Sequence, residues 1–226
     1  MREPEPRSRF LNRDAELPLS IEVEDIRAAI ERVYTRYHDL NEFHVENYSI
    51  RFHKSFRAMN SVGDYIGHQF NDALVANVDE LEHNPHDDRR PDIVHQRDLE
   101  EARDRDYDDV TGIEQKAAHY KRFFTSHNQS NTNLLFIQYR IHEPGEVADV
   151  EPFEFTQILL ADASQQSWEF EPRGQNSNTT YRAADDLRDA MRSNPVYQHP
   201  DAICQNEHVD RYRDIQASFD PEYDPD

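Results

Sequence analysis

Three side chains, Asp92, Glu114 and Lys116, have the types and spacing from which phosphodiester chemistry can be built. Lys116 is one of only three lysines, with Lys54 and Lys121, in a chain whose other cationic side chains are arginines. It lies in Gly112-Ile113-Glu114-Gln115-Lys116-Ala117-Ala118, whose apolar flanks predict a buried strand. Residues i and i+2 of a strand share a face, so the Lys116 ammonium and the Glu114 carboxylate are expected side by side, with Gln115 turned away. Asp92 belongs to Arg90-Pro91-Asp92-Ile93-Val94, a short apolar run expected on the neighbouring strand. Hydrolysing a phosphodiester needs Mg²⁺ held by carboxylates near the scissile phosphate, a positioned water, and positive charge beside the developing phosphorane. Asp92 and Glu114 are candidate metal ligands, the Gln115 carbonyl a third oxygen, and Lys116 the cation. With 46 acidic residues in 226, an acid two places before a lysine is common. The alternative is an acidic turn with a solvated Glu/Lys pair at a sheet edge, and the surrounding elements have to decide.

Those elements are legible in outline. Residues 1–18 are rich in proline and charge and are expected to form a flexible arm. From Ser20, a candidate cap, Ile26, Ile30, Val33, Tyr34 and Tyr37 recur at helical spacing, predicting a helix to about residue 38. Residues 48–54 fit strand and helix equally. A second helix is expected over 62–81, closed by Asn84-Pro85-His86-Asp87-Asp88. Strands follow at 92–94, 110–118, 134–141 and 153–161, with shorter ones at 168–170 and 179–183, then a helix over 184–192. Helices followed by four or five strands and a helix imply one α/β or α+β domain over 19–195 with a mixed central sheet. A polar tail, partly disordered, is expected over 196–226.

The formal net charge is −21 and the mean hydropathy −1.02. Charge spread so evenly, with arginine in place of lysine, is the pattern of proteins that work in molar salt. There a carboxylate surface stays hydrated while its self-repulsion is screened. The acidity then reports the solvent and does not exclude a nucleic-acid partner. A lone Cys204 leaves no intramolecular disulfide and no cysteine-rich zinc site, which fits a reducing interior. No apolar run approaches a membrane span and the N-terminus has no signal-peptide core, so a cytoplasmic protein with no membrane partner is expected.

The segment from Gly63 through the two short motifs to Tyr139, roughly a third of the chain, resembles the PD-(D/E)XK nucleases. Within that superfamily it looks most like the type II restriction endonucleases. The resemblance implies a restriction-endonuclease-like core of four to five strands flanked by helices. It also implies Mg²⁺, double-stranded DNA as substrate, and Asp92, Glu114 and Lys116 as the catalytic residues. Asp92 and Glu114 would be metal ligands, and Lys116 would position water or stabilise the transition state. Many members place a glutamate on the helix before the Pro-Asp strand; here that position is Asn71, followed by Asp72. Asp72, or a later acid such as Glu80, is expected to replace it in the metal site.

Residues 119–131 concentrate basic, aromatic and amide groups, of which Lys121, Arg122, Asn128, Gln129 and Asn131 are suited to phosphates and base edges. An exposed polar loop is the equal alternative. Arg51, His53, Lys54 and Arg57 form a second basic cluster. The twelve histidines lack zinc spacing and read as surface residues. Five scattered glycines leave no phosphate loop, hence no nucleotide cofactor, and a serine nucleophile elbow is absent. The expected activity is site-specific cleavage of duplex DNA by a homodimer. The rivals are a non-catalytic DNA-binding protein and an acidic structural or interaction protein of a halophile or its virus.

Overall fold

Two aspartate or glutamate side chains start the first helix. In the computed structural model, which describes residues 10–86, 91–99, 110–119, 124–125, 133–142, 152–162, 168–171, 180–183 and 185–199, α1 spans Val23–Tyr48. Glu22 and Asp25 form a reciprocal capping box, with the Glu22 amide donating to Asp25 Oδ2 at 2.9 Å. Ser20 is therefore not the cap; with Leu19 it adopts the left-handed conformation (φ 56° and 59°) that turns the chain into the helix. The buried stripe is Ile26, Ala29, Ile30, Val33, Tyr34, Tyr37 and Asn41. Beyond it the helix continues to Tyr48 instead of stopping near residue 38; its last turns expose Phe43, Val45 and Tyr48, so they lack the apolar period by which the sequence would show them. Ser49, left-handed, closes it, its amide donating to Val45 O at 3.0 Å.

A 3-10 turn over Phe52–Ser55 resolves the ambiguous segment and leads to α2 (Met59–Asn77). This helix starts and ends earlier than its apolar run suggests. Val78 caps it, and Leu81, fully buried, belongs to strand β1 (Leu81–His83). Then come β2 (Ile93–His95), β3 (Gly112–Ala118), β4 (Phe124–Thr125), β5 (Asn133–Ile141), β6 (Phe153–Asp162), β7 (Trp168–Glu171), β8 (Thr180–Ala183), α3 (Asp185–Ser193) and β9 (Tyr197–Gln198).

Among the described residues the central sheet has six strands in the order β1-β2-β3-β5-β6-β9, rather than four or five. Only β3 and β5 are parallel; the other neighbours are antiparallel. The two extra members, β1 and β9, are too short to show alternation in sequence. The 168–171 and 180–183 segments instead pair with β4 in a separate three-stranded sheet, β4-β8-β7. Helices α1 and α2 pack on the sheet face carrying Ile93, Ile113, Leu135, Ile137, Tyr139, Phe155 and Ile158. Leu187 and Met191 of α3 cover Leu134, Phe136 and Leu159 on the other face.

The β5–β6 register slips where Gln138 faces Gln157 but Tyr139 faces Phe155, leaving Thr156 bulged. The bulge frees groups for other elements: the Phe155 amide donates to the Tyr34 hydroxyl at 2.7 Å, and Thr156 O accepts from the His199 amide at 2.9 Å. The packed unit exceeds the expected 19–195 at both ends. Phe10 and Leu11 are buried, Leu11 bridges Tyr197, and Val196 through His199 are buried as well. Residues 10–12 and 196–199 thus belong to the core, not to an arm or a tail.

Candidate active site

The register of β2 against β3 sets the site. Ile93 pairs with Ile113 and Val94 with Gly112, and both isoleucines enter the core beneath α1 and α2. Asp92 directly precedes β2, where the next step of that register would set it against Glu114, and Glu114 lies on the face of β3 opposite Ile113. Lys116 follows on that face, its ammonium against Glu114 Oε1. Glu114 is fully buried, whereas the Lys116 side chain is 23% exposed. Asp92 Oδ2 accepts the Gln115 amide at 2.7 Å, so the strand that supplies Glu114 and Lys116 also orients Asp92. The close approach requires Gly112, since a Cβ there would lie 2.2 Å from Ile93 O and 2.3 Å from Pro91 Cγ. Gln115 points the other way, under α2, where a Cβ on Gly67 would fall 2.1 Å from its Oε1.

Two carboxylates against one ammonium leave the cluster net negative, with oxygen donors only. That set fits Mg²⁺, which holds most of its waters and takes one or two carboxylates. Among the described residues no group of three His, Cys, Asp or Glu side chains is arranged to hold a metal ion by itself. The helix carboxylate accounts for this. Asp72 sits on α2, the layer on the face away from Glu114 and Lys116, and its Oδ1 lies 3.2 Å from His83 Nε2. Glu80 is engaged in the same way with His95 at 3.4 Å. The structure therefore joins Asp92, Glu114 and Lys116 and does not bring Asp72 to them. Adjacent residues on a helix point in directions about 100° apart, so Asp72 does not take over the direction of Asn71, and helix position alone could not assign it.

The candidate DNA contacts Lys121, Arg122, Asn128, Gln129 and Asn131 lie outside the described residues. Of the second basic cluster, Lys54 is exposed, but His53 is buried and Arg51 donates to His142 O at 2.5 Å. The histidines are not all surface residues: His53, His142 and His199 are buried. The last two flank Glu154, a carboxylate that sequence reasoning passed over although it interrupts the apolar run Phe153-Glu154-Phe155. Burial pushes the Glu154 carboxyl up. Hydrogen bonds from His142 and His199, the His199 charge and a bond from Arg140 outweigh it and hold the group far below the ordinary carboxylate range. Burial also raises Tyr37 and Tyr65 and lowers His119.

Comparison of the chain with protein-family models, curated proteins and solved structures gives no match. Among the described residues no helix is long and apolar enough to cross a membrane. The functional reading therefore rests on the site.

Proposed function

We propose that this chain is a Mg²⁺-dependent endonuclease of double-stranded DNA, of the type II restriction kind within the PD-(D/E)XK nucleases. The observation that carries the reading is Lys116 on the Glu114 carboxylate, on one face of β3, with Asp92, just before the adjacent antiparallel β2, bonded to the Gln115 amide. Asp92 and Glu114 would hold the ion. When bound, it would supply an acidified water and charge neutralisation at the phosphate. The Lys116 ammonium, close to the surface, offers its protons to the phosphoryl oxygens as negative charge builds on them. The Gln115 amide keeps Asp92 oriented while this happens. Water adds to phosphorus and the bond to one ester oxygen breaks, leaving a phosphomonoester and a hydroxyl.

Cutting both strands at a symmetric site calls for two copies related by a two-fold axis. Phe43, Val45, Tyr48 and Ile50, exposed at the end of α1 and just beyond it, are the apolar surface such a contact would use. In an acidic protein suited to molar salt, counterion release adds little to DNA affinity, so base-edge hydrogen bonds and shape carry more of it. A non-catalytic DNA-binding or acidic interaction protein is the second reading, favoured by Asp72 lying on the face away from the site.

The test is plasmid DNA with Mg²⁺ across KCl concentrations, using wild type, Asp92→Ala and Lys116→Ala. Discrete wild-type fragments, lost in both variants, are expected. Equal cutting by all three proteins, or none by wild type at any salt, refutes the proposal.

A further inference from the structure

The carboxylate of Asp92 is fixed from β3 by the Gln115 amide, but a second set of contacts holds its backbone from the other side. Asn84 immediately follows β1. Its amide donates to Asp92 O at 3.1 Å, extending the β1–β2 ladder one step past the His83–Ile93 pair. Its side chain then bonds both legs of the β1–β2 connection. Nδ2 donates to Pro91 O at 2.7 Å, while Oδ1 accepts the His86 amide at 3.0 Å. The amide offers a donor and an acceptor on separate atoms, one for each leg; aspartate would set an acceptor against the Pro91 carbonyl. On the far side, the Pro91 ring fills the space that a Cβ on Gly112 would occupy. The Pro91-Asp92 unit is thus gripped between the Asn84 side chain and the bare Gly112 backbone.

We infer that Asn84 is a positioning residue of the active site, closing the β1–β2 connection so that Asp92 faces Glu114. The inference rests on the nuclease reading, because positioning matters only if Asp92 holds a ligand. Outer contacts that orient a ligating carboxylate typically change metal affinity or activity by about 10–100-fold when removed. Asn84→Ala keeps the backbone bond to Asp92 and loses both side-chain bonds, so a loss of roughly tenfold, at the low end of that range, is expected.

The experiment compares wild type, Asn84→Ala and Asn84→Ser with three readouts: thermal melting, Mg²⁺ affinity by calorimetry without DNA, and the Gln115 amide resonance, which reports the bond to Asp92. The expected result is cooperative melting in at least one variant, Mg²⁺ affinity weakened about tenfold, kcat reduced with KM for DNA retained, and a displaced Gln115 resonance. A variant with wild-type Mg²⁺ affinity and an unmoved Gln115 resonance overturns the inference. If wild type neither binds Mg²⁺ nor cuts DNA, the nuclease reading fails. The Gln115 resonance then still decides the clamp: displacement in a folded variant upholds it, and no displacement overturns it.

Discussion

Replacing Glu154 by glutamine should destabilise the protein by about 3 kcal/mol, the lower end of what breaking a buried ion pair costs. The side chain is 6% exposed and accepts from three cationic or ionisable groups. Arg140 Nη2 lies 2.5 Å from Oε2, His142 Nε2 3.3 Å from the same oxygen, and His199 Nε2 3.0 Å from Oε1. Arg140 faces Glu154 across the β5–β6 ladder, whereas His199 follows β9, so one carboxylate ties three strands together. Glutamine keeps the shape but removes the charge and turns an NH₂ group toward at least one of these donors. For a domain of this size each kcal/mol moves the melting temperature by about 2–4 °C, so a fall of about 6–12 °C is expected.

The pH dependence has a definite sign. The folded carboxyl is held below its ordinary value, so its contribution is complete above the unfolded-state pKa of about 4.3 and is lost as pH falls through the folded value. Glutamine does not titrate, so the gap between wild type and Glu154→Gln should be full at pH 7 and narrow below about pH 4. Exposed pairs are screened in molar salt and buried ones much less, so the gap should persist in high KCl. The assay is thermal melting of both proteins at several pH values and KCl concentrations. A difference under about 2 °C at pH 7, or one that vanishes in molar KCl, would refute the account of Glu154 as a buried, charged tie.

The α2 interface and the acid that stands apart can be probed in the same way. Gly63→Ala should destabilise by about 1–3 kcal/mol, because the new Cβ would meet the Ala117 carbonyl at 2.8 Å and backbone must move. Gly67→Ala should cost less, since the obstacle is the movable end of Gln115, and Gln115→Ala should relieve it; melting of the single and double variants checks both. Asp72→Asn should leave Mg²⁺ affinity and cleavage unchanged and lower stability by less than about 1 kcal/mol, because its pair with His83 is exposed on both sides. A tenfold loss of Mg²⁺ affinity would instead return Asp72 to the metal site.

What the sequence determined by itself was local. Helical spacing from Ile26 to Tyr37 reported the packed stripe of α1, and the apolar runs that became β3, β5 and β6 lie within a few residues of their bounds. That Glu114 and Lys116 share a face follows from the two-residue period of a strand, a property of backbone geometry that needs no partner. The extension of α1 past its buried stripe left no such trace, because exposed turns carry no apolar period.

Tertiary structure decided everything that depends on register and layer. The register of β2 along β3 brings Asp92 to the Gln115 amide, and one residue of slip would break that bond and turn the β2 side chains to the other face. The same layering places Asp72 beneath the sheet, beyond reach of any inference from its position on a helix. Strands as short as β1 and β9 have no intrinsic signal and exist because neighbouring strands offer unpaired backbone groups. Glu154, His142 and His199 show the same limit: a charge within an aromatic run is visible in sequence, but the partners that make it tolerable come from separate segments brought together only by folding.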